Sequence, residues 1–141
     1  MTSFHEMNQI IKKPVSYTGL VLPEGERQKV LSHFGEVVER LRQQGWEIVL
    51  HHMTINMGPA EKGPAKELLG QTVPLALTTL AVQEEIGVAA FGVETAVPST
   101  NRHKHITLAV NRKIAKPVHS NNLTKWETIP KLELQGIVQE V

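Results

Sequence analysis

The chain has 141 residues and a formal charge of +1, with 40% hydrophobic and 21% charged residues. That length holds one domain comfortably, and the composition is that of a globular chain rather than a disordered one. No apolar run approaches the ~18 residues of a membrane span, and the absence of cysteine excludes a disulfide framework, a thiolate metal site and a cysteine nucleophile.

The N-terminal stretch, residues 1–8, is polar and lacks the apolar segment of a secretory signal. The reading is therefore a cytoplasmic protein with one domain over residues 1–141. Val15 to Leu22 is β-branched and aromatic and ends at Pro23, so it predicts a strand. Glu24 to Gln44 predicts one long helix. Val30, Leu31, Phe34, Val37, Val38 and Leu41 form an apolar stripe, acids stand at its start and bases near its end. Trp46 to Met57 reads as a strand closed by Gly58-Pro59. A short helix is expected over Pro64 to Leu69. Thr72 to Val82 and Ile86 to Val97 read as two strands joined by a turn, and His103 to Val110 as another. Arg112 to Pro130 reads as irregular, with one helical turn near Leu123 to Trp126 capped by Ser120, Asn121 or Asn122. Leu132 to Val141 is the last expected strand. The sum is a mixed α+β domain.

Charge is unevenly spread. All fourteen acids are Glu. The lack of Asp excludes the commonest Ser-His-Asp triad and a magnesium site built on paired Asp. Between Thr95 and Trp126 there are six Lys and Arg and no acid. A basic segment on a near-neutral chain suits a small or short anionic ligand; its other reading is a solvated charged stretch. An extended base-stacking platform is not expected with 4% aromatic residues.

Two strands repeat one pattern. His52-Met53-Thr54-Ile55 and His105-Ile106-Thr107-Leu108 are each His, apolar, Thr, apolar. Period-2 geometry puts His and Thr on one face and the apolar pair on the other. Side by side, such strands present two imidazoles and two hydroxyls. One neutral His takes a proton from the attacking oxygen, and the other protonates the leaving oxygen. The Thr hydroxyls donate to phosphoryl oxygens as charge builds on them. His52, His105, Thr54 and Thr107 are the candidate catalytic residues, with no metal and no cofactor. Tyr17 and Lys116 are candidate substrate contacts, Tyr17 by stacking on a base and Lys116 as a point charge. Strand parity turns His51 away from the other two and gives His103 the face of His105. A different class of reading joins His103, His105 and His52 as a three-His metal site.

The paired motifs resemble the 2H phosphoesterase superfamily. Tyr17-Thr18-Gly19, Trp46 to Gly58, and Lys116-Pro117 through Ser120-Asn121 to Trp126 are similar to its RNA-repair-like "Swiss army knife" branch. The resemblance implies a compact bilobal fold, with antiparallel sheets around a central groove and one HxT strand in each lobe. It implies a metal-independent phosphodiesterase that opens 2′,3′-cyclic phosphates on RNA ends or nucleotides. Cyclic oligonucleotide signals or 2′-5′ linkages are the alternative substrates. A non-catalytic nucleotide-binding module is the remaining alternative. The partner implied is an RNA terminus or a small cyclic nucleotide, with no membrane.

Overall fold

The computed structural model describes residues 14–141; the polar stretch at residues 1–8 lies outside them. Seven strands follow one another as β1 (Tyr17–Val21), β2 (Glu47–Ile48), β3 (His52–Met57), β4 (Thr72–Gln83), β5 (Val88–Glu94), β6 (His105–Val110) and β7 (Glu127–Glu140). Two helices, α1 (Glu24–His33) and α2 (Gly35–Gln43), separate β1 from β2. Short 3-10 turns occupy Ala60–Lys62, Lys66–Leu68 and Pro117–Asn122.

All the pairings are antiparallel, and the order β3-β1-β7-β4-β5-β6 closes because β6 pairs back onto β3 through Met53 and Ile106. The result is a closed six-stranded barrel with β2 as an extra strand on β6. The strands β4 and β7, 12 and 14 residues long, pair along most of their length.

This architecture corrects the expected α+β bilobal fold. The sheet is continuous around the barrel, so no groove divides two lobes. Strand periodicity reports which residues face inward but not which strands pair, and the β3–β6 pairing that closes the sheet leaves no mark in either sequence. The single long helix expected over Glu24 to Gln44 is also two short ones, of 10 and 9 residues, broken at Phe34. Gly35, a poor helix former, follows the break. The Phe34 ring lies 4.8 Å from that of Phe91.

The interior alternates as strand geometry requires. Leu20, Met53, Ile55, Leu77, Phe91, Ile106 and Leu108 are fully buried. Val30, Val38 and Leu41 of the helices belong to the same cluster, so the helices reach the barrel interior. Ala81, Val88, Ala90 and Val110 point the other way and form a second cluster with Ala115 and Leu123. The segment between β6 and β7 is thereby held against the outer wall. Gln83, buried, fixes it: its Oε1 accepts from the Thr124 and Lys125 amides at 2.6 and 2.8 Å. The helical turn of this segment is Pro117–Asn122 rather than Leu123 to Trp126, and β7 begins at Glu127 rather than Leu132. Pro117 presets the first φ of that turn.

The strand expected over Trp46 to Met57 is interrupted, and the interruption shapes the site. Leu50 N donates to Thr107 O, yet Met53 pairs with Ile106. Residues 51 and 52 are thus extra relative to β6, and Leu50 carries a φ of 40°. Leu50 and Met53 both face the core. A bulge of this kind re-aims side chains.

Candidate active site on the outer barrel wall

Met53, Ile55, Ile106 and Leu108 enter the core, so their alternates His52, Thr54, His105 and Thr107 face outward from β3 and β6. They do not lie open. The turn Pro117–Asn122 and the loop before β6 cover them, leaving a cavity of about 350 Å³. All four line it, together with Tyr17, Val49, Met57, Asn101, Pro117, Val118 and Asn121. A larger cleft of about 630 Å³, bounded by Glu26, Lys29, Glu94 and Lys131, contains no histidine.

Each imidazole is held by its neighbours. The His105 Nδ1–H donates to the carbonyl of His103 at 2.7 Å. Its Nε2 is therefore the atom that takes up or releases a proton. His52 stacks on Tyr17, with centroids 4.4 Å apart and planes 23° apart. The Tyr17 hydroxyl is 3.3 Å from His52 Nδ1, and Thr54 Oγ1 is 3.1 Å from His52 Nε2. Gly19 beneath them leaves the room this stack occupies: a Cβ there would stand 3.2 Å from His52 Cδ2 and 3.3 Å from Tyr17 Cε2. The loop over β3 is also pinned, with Ser99 Oγ donating to Thr54 O at 2.7 Å and the Thr100 amide donating to Ile55 O.

Burial sets the charge state. It pushes His52 down to about 4, helped by the repulsive charges of His51 and His105. Burial also lowers His105, while its bond to the His103 carbonyl opposes the fall and the charge of His103 adds to it. Burial raises Tyr17 above the ordinary phenol value, so its hydroxyl stays protonated at neutral pH.

Of the residues expected at the site, His52, Thr54, His105, Thr107 and Tyr17 come together. Lys116 does not line the cavity; it is exposed, one residue before Pro117, and its amide donates to His119 Nδ1 at 3.0 Å. His103 gives its carbonyl to His105, but its ring stacks on Trp126 at 4.2 Å. Among the described residues no group of three or more His, Cys or Glu is placed to hold a metal ion, so the three-His arrangement is not formed.

Four residues join the site that sequence reasoning left aside. His51 was turned away by strand parity, but the bulge brings its Nδ1 to 3.0 Å from His52 Nδ1. Ser120, buried, has its hydroxyl 2.8 Å from Thr107 Oγ1. In the sequence it stands as a possible helix cap and within the stretch that resembles the 2H branch, as does Asn121, with no site role assigned to either. Asn101 lies on the loop before β6. Both asparagines line the cavity, and no local pattern marks them. Compared with known proteins, the chain matches no family model and no curated sequence.

Proposed function

We propose that this protein is a metal-independent phosphodiesterase that opens a 2′,3′-cyclic phosphate on an RNA end or a nucleotide. The observation that carries the reading is the convergence of two imidazoles and two hydroxyls, from separate motifs 53 residues apart in the chain, on one cavity of about 350 Å³. That size lies at the low end of ligand cavities, which span about 300–1,000 Å³. The bilobal fold implied by the 2H resemblance is absent, so the proposal rests on these side chains and their surroundings.

The environments divide the roles. A base must be neutral and an acid protonated when substrate arrives. His52, held down to about 4, is neutral over most of the working range and is the base. It accepts a proton from water as the water oxygen attacks phosphorus. The ring P–O bond then breaks, and His105 gives its Nε2 proton to the leaving oxygen. The product is a terminal phosphomonoester. The carbonyl of His103, accepting from Nδ1, stabilises the imidazolium that His105 must carry. The reverse assignment would need His52 charged while His105 is neutral, a rare state given these surroundings. Thr54 and Thr107 donate to the non-bridging oxygens. The Tyr17 ring is engaged by His52 rather than open to a base.

Among the described residues no helix is long and apolar enough to cross a membrane. The reading is tested by a substrate panel in EDTA: 2′,3′-cyclic mononucleotides, RNA with a cyclic-phosphate end, 2′-5′ oligoadenylate and cyclic dinucleotides. Hydrolysis of the first two is expected. Turnover of the cyclic dinucleotides alone would move the substrate to cyclic oligonucleotide signals. Binding without turnover of any of them would reduce the site to a nucleotide-binding module.

A further inference from the structure

The bulge places a third imidazole against the site. His51 and His52 are consecutive, yet both lie outside the barrel, because Leu50 and Met53 on either side are in the core. His51 is exposed, and its Nδ1 stands 3.0 Å from His52 Nδ1, with the rings nearly perpendicular at 78°. Two facing ring nitrogens at that distance share one proton: one donates and the other accepts.

The two arrangements have different consequences. If His51 donates, His52 carries its own proton on Nε2, which is then spent on Thr54 Oγ1 and has no lone pair for the cavity. If His51 accepts, His52 holds Nδ1–H and its Nε2 is a lone pair, which accepts from the Thr54 hydroxyl at 3.1 Å until substrate draws that hydroxyl to a phosphoryl oxygen. A free imidazole in water favours the Nε2–H tautomer. His51, the exposed partner, follows that preference, so its Nδ1 is the acceptor and His52 supplies the shared proton. The Tyr17 hydroxyl, 3.3 Å from the same Nδ1, offers oxygen lone pairs to that proton as well.

We propose that His51 is a positioning residue: by accepting the Nδ1–H of His52 it fixes the tautomer in which His52 Nε2 is unprotonated and available as a base. Its catalytic consequence rests on the two-histidine reading above, but the tautomer does not. When His52 takes a proton on Nε2, it keeps the Nδ1–H donated to the His51 ring nitrogen, which holds the imidazolium in place. This is the orienting task a triad carboxylate performs, carried out here by a second imidazole in a chain that has no Asp.

The test is ¹⁵N NMR of the histidine rings at neutral pH, paired with steady-state kinetics on a 2′,3′-cyclic nucleotide. His51→Leu removes the acceptor at an exposed position, and His51→Asn replaces it with an amide oxygen. In the unsubstituted protein His52 is expected with Nδ1 protonated and Nε2 bare. His51→Leu shifts the population toward Nε2–H and lowers kcat by roughly 10- to 100-fold, part of the about 100- to 10,000-fold that a general base supplies, with KM little changed. His51→Asn restores both readouts. A wild-type His52 protonated on Nε2, or a tautomer that His51→Leu leaves unchanged, overturns the proposal. The spectrum needs no substrate, so a lack of turnover would remove the phosphodiesterase reading while the tautomer is still decided.

Discussion

Substituting His52 by Gln changes how the fold responds to acid. In the unfolded chain this imidazole titrates near its ordinary 6.5, whereas in the folded protein burial, with the charges of His51 and His105, holds it at about 4. As pH falls below about 6.5 the unfolded chain takes up a proton at this position that the folded chain refuses. Stability tied to His52 is therefore complete above the unfolded value and is lost as pH falls toward 4. At about 1.4 kcal/mol for each tenfold change in proton affinity, the loss reaches roughly 3 kcal/mol. That is a large fraction of the roughly 5–15 kcal/mol that holds an ordinary domain together. Urea unfolding at a series of pH values measures it. The wild type should lose roughly 3 kcal/mol more than His52→Gln between neutral pH and about pH 4, whatever the other groups contribute to both. Parallel stability curves would refute the argument: His52 would then be solvated like a surface imidazole, and the burial that makes it the base would be lost with it.

Other consequences follow from the same contacts. His105→Gln should retain the fold, judged by far-UV circular dichroism and its unfolding midpoint, and lose at least about 100-fold in kcat, the low end for a general acid. Ser120→Ala leaves Thr107 Oγ1 without its 2.8 Å partner; a loss of about 1 kcal/mol is expected in urea unfolding, and an unchanged midpoint would show that the contact is dispensable. Gly19→Ala presses a methyl group against His52 Cδ2 and Tyr17 Cε2; kcat/KM should fall at least about tenfold with a stability cost of about 1–3 kcal/mol, and full activity would show that the stack can move freely. Gln83→Leu removes the oxygen that accepts from the Thr124 and Lys125 amides; hydrogen exchange should rise over the segment between β6 and β7, with a loss of about 1–3 kcal/mol.

The site was more legible in the sequence than the fold that carries it. Two copies of His-apolar-Thr-apolar, read with a period of two, identify which side chains share a face, and that property is local to each strand. Closure of the sheet is not local. It depends on β6 meeting β3, far from it in the chain, as well as its neighbour β5, and nothing in either motif strand announces that distant partner. The apolar stripe from Val30 to Leu41 packs on the core, but nothing in it announces the break at Phe34. His51 shows the limit of the periodic argument most clearly. A rule of alternating faces holds only while the register holds, and the two extra residues between Leu50 and Met53 break it at the very position where the second imidazole matters. Ser120 and Asn121 were visible as capping residues and as part of the resembling stretch, but not as site residues, because their approach to the cavity depends on the segment folding back across the outer wall.

The account is tested most directly by the pH dependence of kcat/KM for a 2′,3′-cyclic nucleotide, measured in EDTA from about pH 4 to about pH 8. With His52 as base, near 4, and His105 as acid, held below its ordinary 6.5 by burial, the curve should be a bell on the acidic side of neutrality. It should rise through about 4 and fall before 6.5. An optimum above neutral pH, or a rate that appears only when a metal ion replaces the chelator, would contradict the assignment of this cavity as a two-histidine phosphodiesterase site.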